Sequence, residues 1–236
     1  PAAMTMCAII GLTSCEELCF DATGTETTRQ QIVVGGYRSI KNMNEGDVIY
    51  TQGDTLLVMV SADDRLFQTI LVQNVDSNLV LDIDEDCLKN VDKMQFNITT
   101  PTFTGIDNRG EGSFSATDTV VSTHMAIDNS GAGNIDFQRL IISSSNVNVS
   151  STGSVYLAGP DTTDQININC SRSGGVEAAG FVTRAVTVNV SGSGSVKIHA
   201  TETLNVNITG SGNVYYKGQP VITSTITGTG QVIDQN

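Results

Sequence analysis

The chain contains no tryptophan, only four prolines and two histidines in 236 residues, and aromatic side chains make up 5% of it. Charged residues reach only 16%, too few for a chain held open by its own charge. Twelve basic residues against twenty-five acidic ones give a net charge of −13, which excludes a nucleic-acid partner because nothing neutralises a phosphate backbone. There is no Cys-x-x-Cys and no zinc-type spacing. The nucleophile elbow Gly-x-Ser-x-Gly is missing too. His124 and His199 have no spaced partner, so a charge relay would need a coincidence of folding. No catalytic residue, metal site or cofactor is therefore expected.

What is present is glycine, 23 residues of it, together with valine and isoleucine, which favour strands. The acidity is uneven: residues 1–100 hold 15 of the 25 acidic groups. Residues 2–14, AAMTMCAIIGLTS, are apolar or small and carry no charge. That run is too short to span a bilayer as a helix but suits the hydrophobic part of a secretory signal. No basic stretch precedes it, so residues 1–14 read as an incomplete lipoprotein signal peptide. It ends in Leu12-Thr13-Ser14-Cys15, which resembles a bacterial lipobox with Cys15 as the lipidated residue. Glu16 and Glu17 follow, resembling a signal for export to the outer leaflet in Bacteroidetes-like bacteria. The expectation is a membrane partner through an N-terminal lipid, an outer-membrane, surface-exposed address, and a tether over 15–30. Cys19, Cys87 and Cys170 remain, an odd number without paired spacing, and Cys170 occupies an apolar strand slot as a small core residue.

Self-similarity dominates the rest. Seven glycines, Gly112, Gly133, Gly153, Gly174, Gly194, Gly212 and Gly230, close SGSG-like elements at spacings of 21, 20, 21, 20, 18 and 18. Two residues after each stands Phe114, Ile135, Val155, Val176, Val196, Val214 or Val232. Six before stands Ile106, Ile127, Val147, Ile168, Val188 or Val206, and only Ser224 breaks the column. Four before come Val149, Cys170, Val190, Ile208 and Ile226. Between the two apolar columns lie Asp128, Asn148, Asn169, Asn189, Asn207 and Thr225. Apolar positions two apart describe one face of a strand, and a repeat near twenty describes a coil. The predicted fold is all-β: a parallel, right-handed β-solenoid over 101–236, with aliphatic columns inside and Asn148, Asn169, Asn189 and Asn207 as a surface amide ladder. The glycines make the corners, and Gly194 should have φ > 0 or leave no room for a Cβ.

Residues 31–100 are predicted to be β-rich but irregular, forming either the first coils or a separate sheet that caps the stack. Strands are expected at 32–34, 47–51, 55–60, 78–83 and 94–98, with a short helix from the Ser61–Asp64 cap to about Ile70.

Several stretches resemble one family. Gly36-Tyr37-Arg38-Ser39-Ile40 and Gly46-Asp47-Val48-Ile49-Tyr50-Thr51-Gln52-Gly53 are similar to its opening strand and turn. Leu79-Val80-Leu81-Asp82-Ile83, Ile98-Thr99-Thr100-Pro101, the SGSG-x-Val elements and Val214-Tyr215-Tyr216-Lys217-Gly218-Gln219-Pro220 continue the likeness. Over about residues 33–234 the chain resembles the "putative auto-transporter adhesin, head GIN domain" family. Ser224, Arg172 and the weak first element depart from the pattern. The resemblance implies a solenoid-like fold, a cell-envelope address and a non-catalytic adhesin-like or scaffolding role, and it supplies no catalytic residues.

Other chemistry was weighed against this. The loop Gly192-Ser193-Gly194-Ser195-Val196-Lys197 is followed by strand alternation, not the helix a phosphate loop needs. Asp82, Asp84 and Asp86, with Glu85, could ligate Ca²⁺, but without the EF-hand glycine and glutamate they read as solvated edge carboxylates. A glycan-binding surface is one alternative, in which the regular Asn/Thr face matches a repeating glycan and Tyr156, Tyr215 and Tyr216 are the aromatic candidates. A polysaccharide lyase or hydrolase is another, and it needs clustered carboxylates with Arg or Lys. A glycan or protein partner on the surface is expected but not named by the residues.

Overall fold

The computed structural model describes residues 19–85 and 87–236. The signal run 1–14, the tether's first residues, Cys15 and Asp86 lie outside them. The columns read from the sequence are the register partners of the fold. Ile127 pairs with Val147, Val147 with Ile168, Ile168 with Val188 and Val188 with Val206, all in parallel. On the next face Ile135, Val155, Val176, Val196, Val214 and Val232 pair in the same way. Val147, Ile168 and Val188 are fully buried, as are Ile135, Val155 and Val196. Each such side chain contributes on the order of 1.5–3 kcal/mol of burial. The chain is a β-solenoid of stacked parallel coils.

Each full coil has three faces. The first carries the Asn-Val-Asn-Val strand, such as His124–Asn129 or Ser144–Val149. A glycine corner leads to the second, such as Val155–Ala158. The third is short and absorbs the variation in coil length. Between Ala178 and Val182 the pairing skips to Ile198 and His199, and it slips again between Thr183 and Ala185. Coils of 20 and 18 residues therefore stay in register along the first face, and the second slips only toward its end, between Tyr156 and Ala158. Phe181, inside that bulge, turns into the core and is 1% exposed.

Residues 31–100 supply both alternatives, in an unexpected order. Ser39–Asn42 and Asp47–Gln52 form a coil paired with Gly105–Asn108 and Phe114–Val121. Asn78–Ile83 and Met94–Thr100, later in sequence, pair on its opposite side. The earlier coil is thus sandwiched, and the chain crosses back over it to begin the regular stack. Thr104 N donates to Arg38 O at 2.7 Å at that crossing.

Antiparallel strands then finish this end. Leu57–Asp63 adds to Met94–Thr100, Glu26–Gln31 adds to Leu57–Asp63, and Ile70–Val75 folds onto Asn78–Ile83. The hairpin turns on Asp76 and Ser77, at φ 51° and 65°, the pair of positive φ values a two-residue primed turn requires. Where a short helix was expected there is one 3₁₀ turn, Asp64–Gln68, with Leu66 fully buried beneath it.

Two expectations fail here. Ile32–Val34 is not a strand: Ile32 is 90% exposed and Val34 86%. The strand is the polar Glu26–Gln31 before it, inside the supposed tether, because an outer strand is held by backbone bonds and needs no apolar side chains. Phe20–Asp21 is also paired, with Leu88–Lys89, and Cys19 is disulfide-bonded to Cys87. Cys170 is free and buried, as its strand slot implied, and burial pushes its thiol up to about 12.

Candidate functional surface

The first face is a flat polar sheet organised by two side-chain ladders. Asn148 Nδ2 donates to Asp128 Oδ1 at 2.6 Å, Asn169 to Asn148 at 2.8 Å, and Asn189 to Asn169 at 2.9 Å. Every amide donates the same way, so the line must end on a group that only accepts, and Asp128 is that group. Asn207 is in backbone register with Asn189, yet no hydrogen bond joins their side chains among those described. Its far neighbour is Thr225, which offers no amide to hold the exposed Asn207 rotamer in line. Asn148, Asn169 and Asn189 thus form the ladder with Asp128, and Asn207 stands outside it. A second, shorter line runs through Asn167, Asn146 and His124, and His124 Nδ1 lies 2.9 Å from Ser144 Oγ.

Inside the same corner is a third ladder that the repeat alignment did not use. Asn42 Nδ2 donates to Asn108 Oδ1 at 3.0 Å and to Gly46 O at 3.2 Å. Asn108 Nδ2 donates to Gly112 O at 3.0 Å and Asn129 Nδ2 to Gly133 O at 2.9 Å. All three are at most 1% exposed. They fill the position four before the corner glycine, which later coils give to Val149, Cys170, Val190 and Ile208. An Asn-x-x-x-Gly spacing at 42–46, 108–112 and 129–133 was the available signal.

The corner glycines are there for want of space. A Cβ on Gly194 would collide with Gly174 O, one on Gly174 with Gly153 O, and one on Gly212 with Gly194 O. Gly133, Gly153 and Gly230 meet the same obstacle from the coil before. None of these has a positive φ, so close stacking of backbone on backbone is the reason glycine is needed.

The outer column of the second face reads Asp136, Tyr156, Glu177, Lys197, Tyr215. Lys197 Nζ lies 2.6 Å from Glu177 Oε2, and that bond raises the lysine's affinity for its proton. Tyr156 and Tyr215 flank the ion pair. Tyr216 points the other way and packs against the core, so it is no part of an outer platform. On the third face Arg184 lies 3.5 Å from Asp164 and 3.9 Å from Glu202. This carboxylate–arginine group spans three coils and was not visible as a column. Each of its side chains is more than half exposed.

A concavity of about 620 Å³ lies where the sandwiched coil meets its neighbours. Glu45, Asp82, Glu85, Arg109 and Glu111 are on its walls, with the buried Asn44. Among the described residues no three His, Cys, Asp or Glu side chains come together as a metal site. Asp82 is brought to Glu85 in this wall, and Asp86 lies outside the described residues.

A parallel solenoid with glycine corners, an amide-laddered face and one strand-covered end defines the class. Residues 36–220 match the family model described as "Putative auto-transporter adhesin, head GIN domain", and the chain belongs to that family. It is similar to a solved "putative adhesin" from Bacteroides fragilis at 27% identity and a TM-score of 0.87, covering 92% of this chain and 100% of that one. Its fold is also that of a "putative lipid binding protein" from Parabacteroides distasonis, at 22% identity and a TM-score of 0.75, covering 92% and 99%. A "putative adhesin" from the same species has 21% identity and a TM-score of 0.70, covering 91% and 99%. No curated protein is significantly similar in sequence.

Proposed function

We propose that the chain is a non-catalytic, lipid-anchored cell-envelope protein that presents its solenoid surface for adhesion. The observation that carries this is the first face, a polar sheet along which Asp128, Asn148, Asn169 and Asn189 are held in line by one another across four coils. Family membership supports the adhesin role and the envelope address. Cys15 is the anchor in this reading, and no helix among the described residues is long and apolar enough to cross a membrane.

The anchor is tested by Cys15→Ala, which should abolish lipid labelling and membrane fractionation. Unchanged fractionation would remove the anchor from the proposal. A second reading, glycan binding, is favoured by Tyr156 and Tyr215 bracketing the Glu177–Lys197 pair in one outward column. They stand three strands apart, roughly 14 Å at the usual strand spacing. On a glycan array, retention lost in both Tyr156→Ala and Tyr215→Ala would support a sugar platform. Silence across the array leaves protein adhesion.

A further inference from the structure

The two ends of the stack are unlike. The N-terminal end is finished by three antiparallel strands, a 3₁₀ turn and a disulfide. At the other end, among the described residues, Val221–Ile226 pairs on one side only, with 203–208, and every residue of it is exposed. Val221 is 74% exposed, Ile222 39% and Ile226 43%. Exposed strand edges are normally blunted by charge or irregularity. Here Gly218 to Ile233 contains no charged residue, in a chain of net charge −13.

Two details set this coil apart from those before it. Ser224 takes the place of the inward aliphatic, opposite Val206. The Asn236 side-chain amide also bonds both Gly218 N and Gly218 O at 2.8 Å, filling on the third face the place of a further coil's backbone. Among the described residues the first-face edge has no such plug.

The polarity of that edge follows from the ladder. Thr227 N donates to Ile208 O at 2.9 Å. Backbone groups alternate sides along a parallel strand, so Thr223 and Thr225 also bond the preceding coil. Ile222, Ser224 and Ile226 then direct their N–H and C=O groups outward, while their side chains face the core side.

We propose that this edge pairs with the same edge of a second copy, antiparallel, about a two-fold axis through Ser224. In that register Ser224 faces Ser224, and Ile222 faces Ile226 of the partner. Residues of equal parity meet, so apolar side chains stay on the inner face and threonines on the outer. The outward N–H and C=O groups of Ile222, Ser224 and Ile226 are all satisfied by their counterparts. A neutral strand is where two acidic molecules can meet without like charges opposed across the pairing. Because the other end is covered, head-to-tail growth is blocked and the assembly closes as a dimer.

Sedimentation equilibrium of the 236-residue chain tests this. The mass should rise with concentration from 24.9 kDa toward twice that value. Ser224→Lys, which sets two ammonium groups against each other on the axis, should stay monomeric, with the parent's thermal midpoint at dilutions where the parent is also a monomer. Thr209→Lys, on an outer corner, should dimerise like the parent. In the parent, amide exchange at Ile222, Ser224 and Ile226 should slow as the protein is concentrated, while Thr223 and Thr225 are protected throughout. A monomer at every concentration overturns the proposal. So does a dimer that survives Ser224→Lys, which would place the contact elsewhere, including the apolar N-terminal run, or exchange that ignores concentration.

Discussion

At the scale of single residues, the sharpest distinction is between glycines that are needed and one that is not. Gly194→Ala forces a Cβ onto Gly174 O, whereas a Cβ on Gly180 meets nothing closer than Ala158 Cβ at 3.9 Å. Gly194→Ala should lower the thermal midpoint, at a cost of about 2 kcal/mol or more by analogy with overpacked cores. Gly180→Ala should be neutral or raise it, by loss of unfolded-state entropy of about 0.4–1 kcal/mol. Thermal unfolding of the two variants side by side decides it, and equal midpoints would mean the corners are not close-packed. Cys170 gives a second residue-level test. With its thiol pushed up to about 12 by burial, it should resist alkylation at neutral pH until the stack unfolds. Rapid labelling of folded protein at Cys170 would show that the core opens there.

At the scale of elements, the inner and outer ladders should differ in worth. Asn108 is fully buried and bonded above and below, so Asn108→Val strands the donor of Asn42 and should cost about 1–3 kcal/mol. Replacing Asn42, Asn108 and Asn129 together by valine removes both partners of each side-chain pair, leaving only the glycine carbonyls, and should cost less than the three singles summed. Asn169→Ala, on the exposed ladder, should change stability by less than about 1 kcal/mol. Equilibrium unfolding in denaturant measures all of these. The aliphatic columns and corner glycines were legible in the sequence because a parallel stack repeats the same side chain at the same place in every coil. The Asn42–Asn108–Asn129 ladder was not, since polar residues at an apolar column look like breaks until burial is known. The strand Ile70–Val75 was hidden by a turn of Asp76-Ser77, which lacks the Asn-Gly or Asp-Gly signature. Glu26–Gln31 was hidden by its polarity, and Ile32–Val34 misled by its apolarity.

At the scale of the molecule, the order of coils could not be read from the sequence. Nothing local in residues 39–52 says that a later segment will stack outside them, because that order is set by pairing across the cap. The Cys19–Cys87 disulfide joins the first described residue to the loop after Asn78–Ile83, so it holds that outermost layer closed. Reduction should lower the stability of the cap by about 2–4 kcal/mol for a loop of this length. Amide exchange with and without reductant checks this. The strands Glu26–Gln31 and Leu57–Asp63 should lose protection first, and uniform loss along the stack would show that the cap is not a separate layer.

The short third face has one more consequence. Because it absorbs most of the change in coil length, a coil is a unit that can be gained or lost whole while the first face keeps its partners. Such a molecule has a height that changes only in steps of one strand spacing, roughly 4.8 Å. The distance between its covered end and its open end is therefore set by counting coils, as in a ruler graduated by the chain itself.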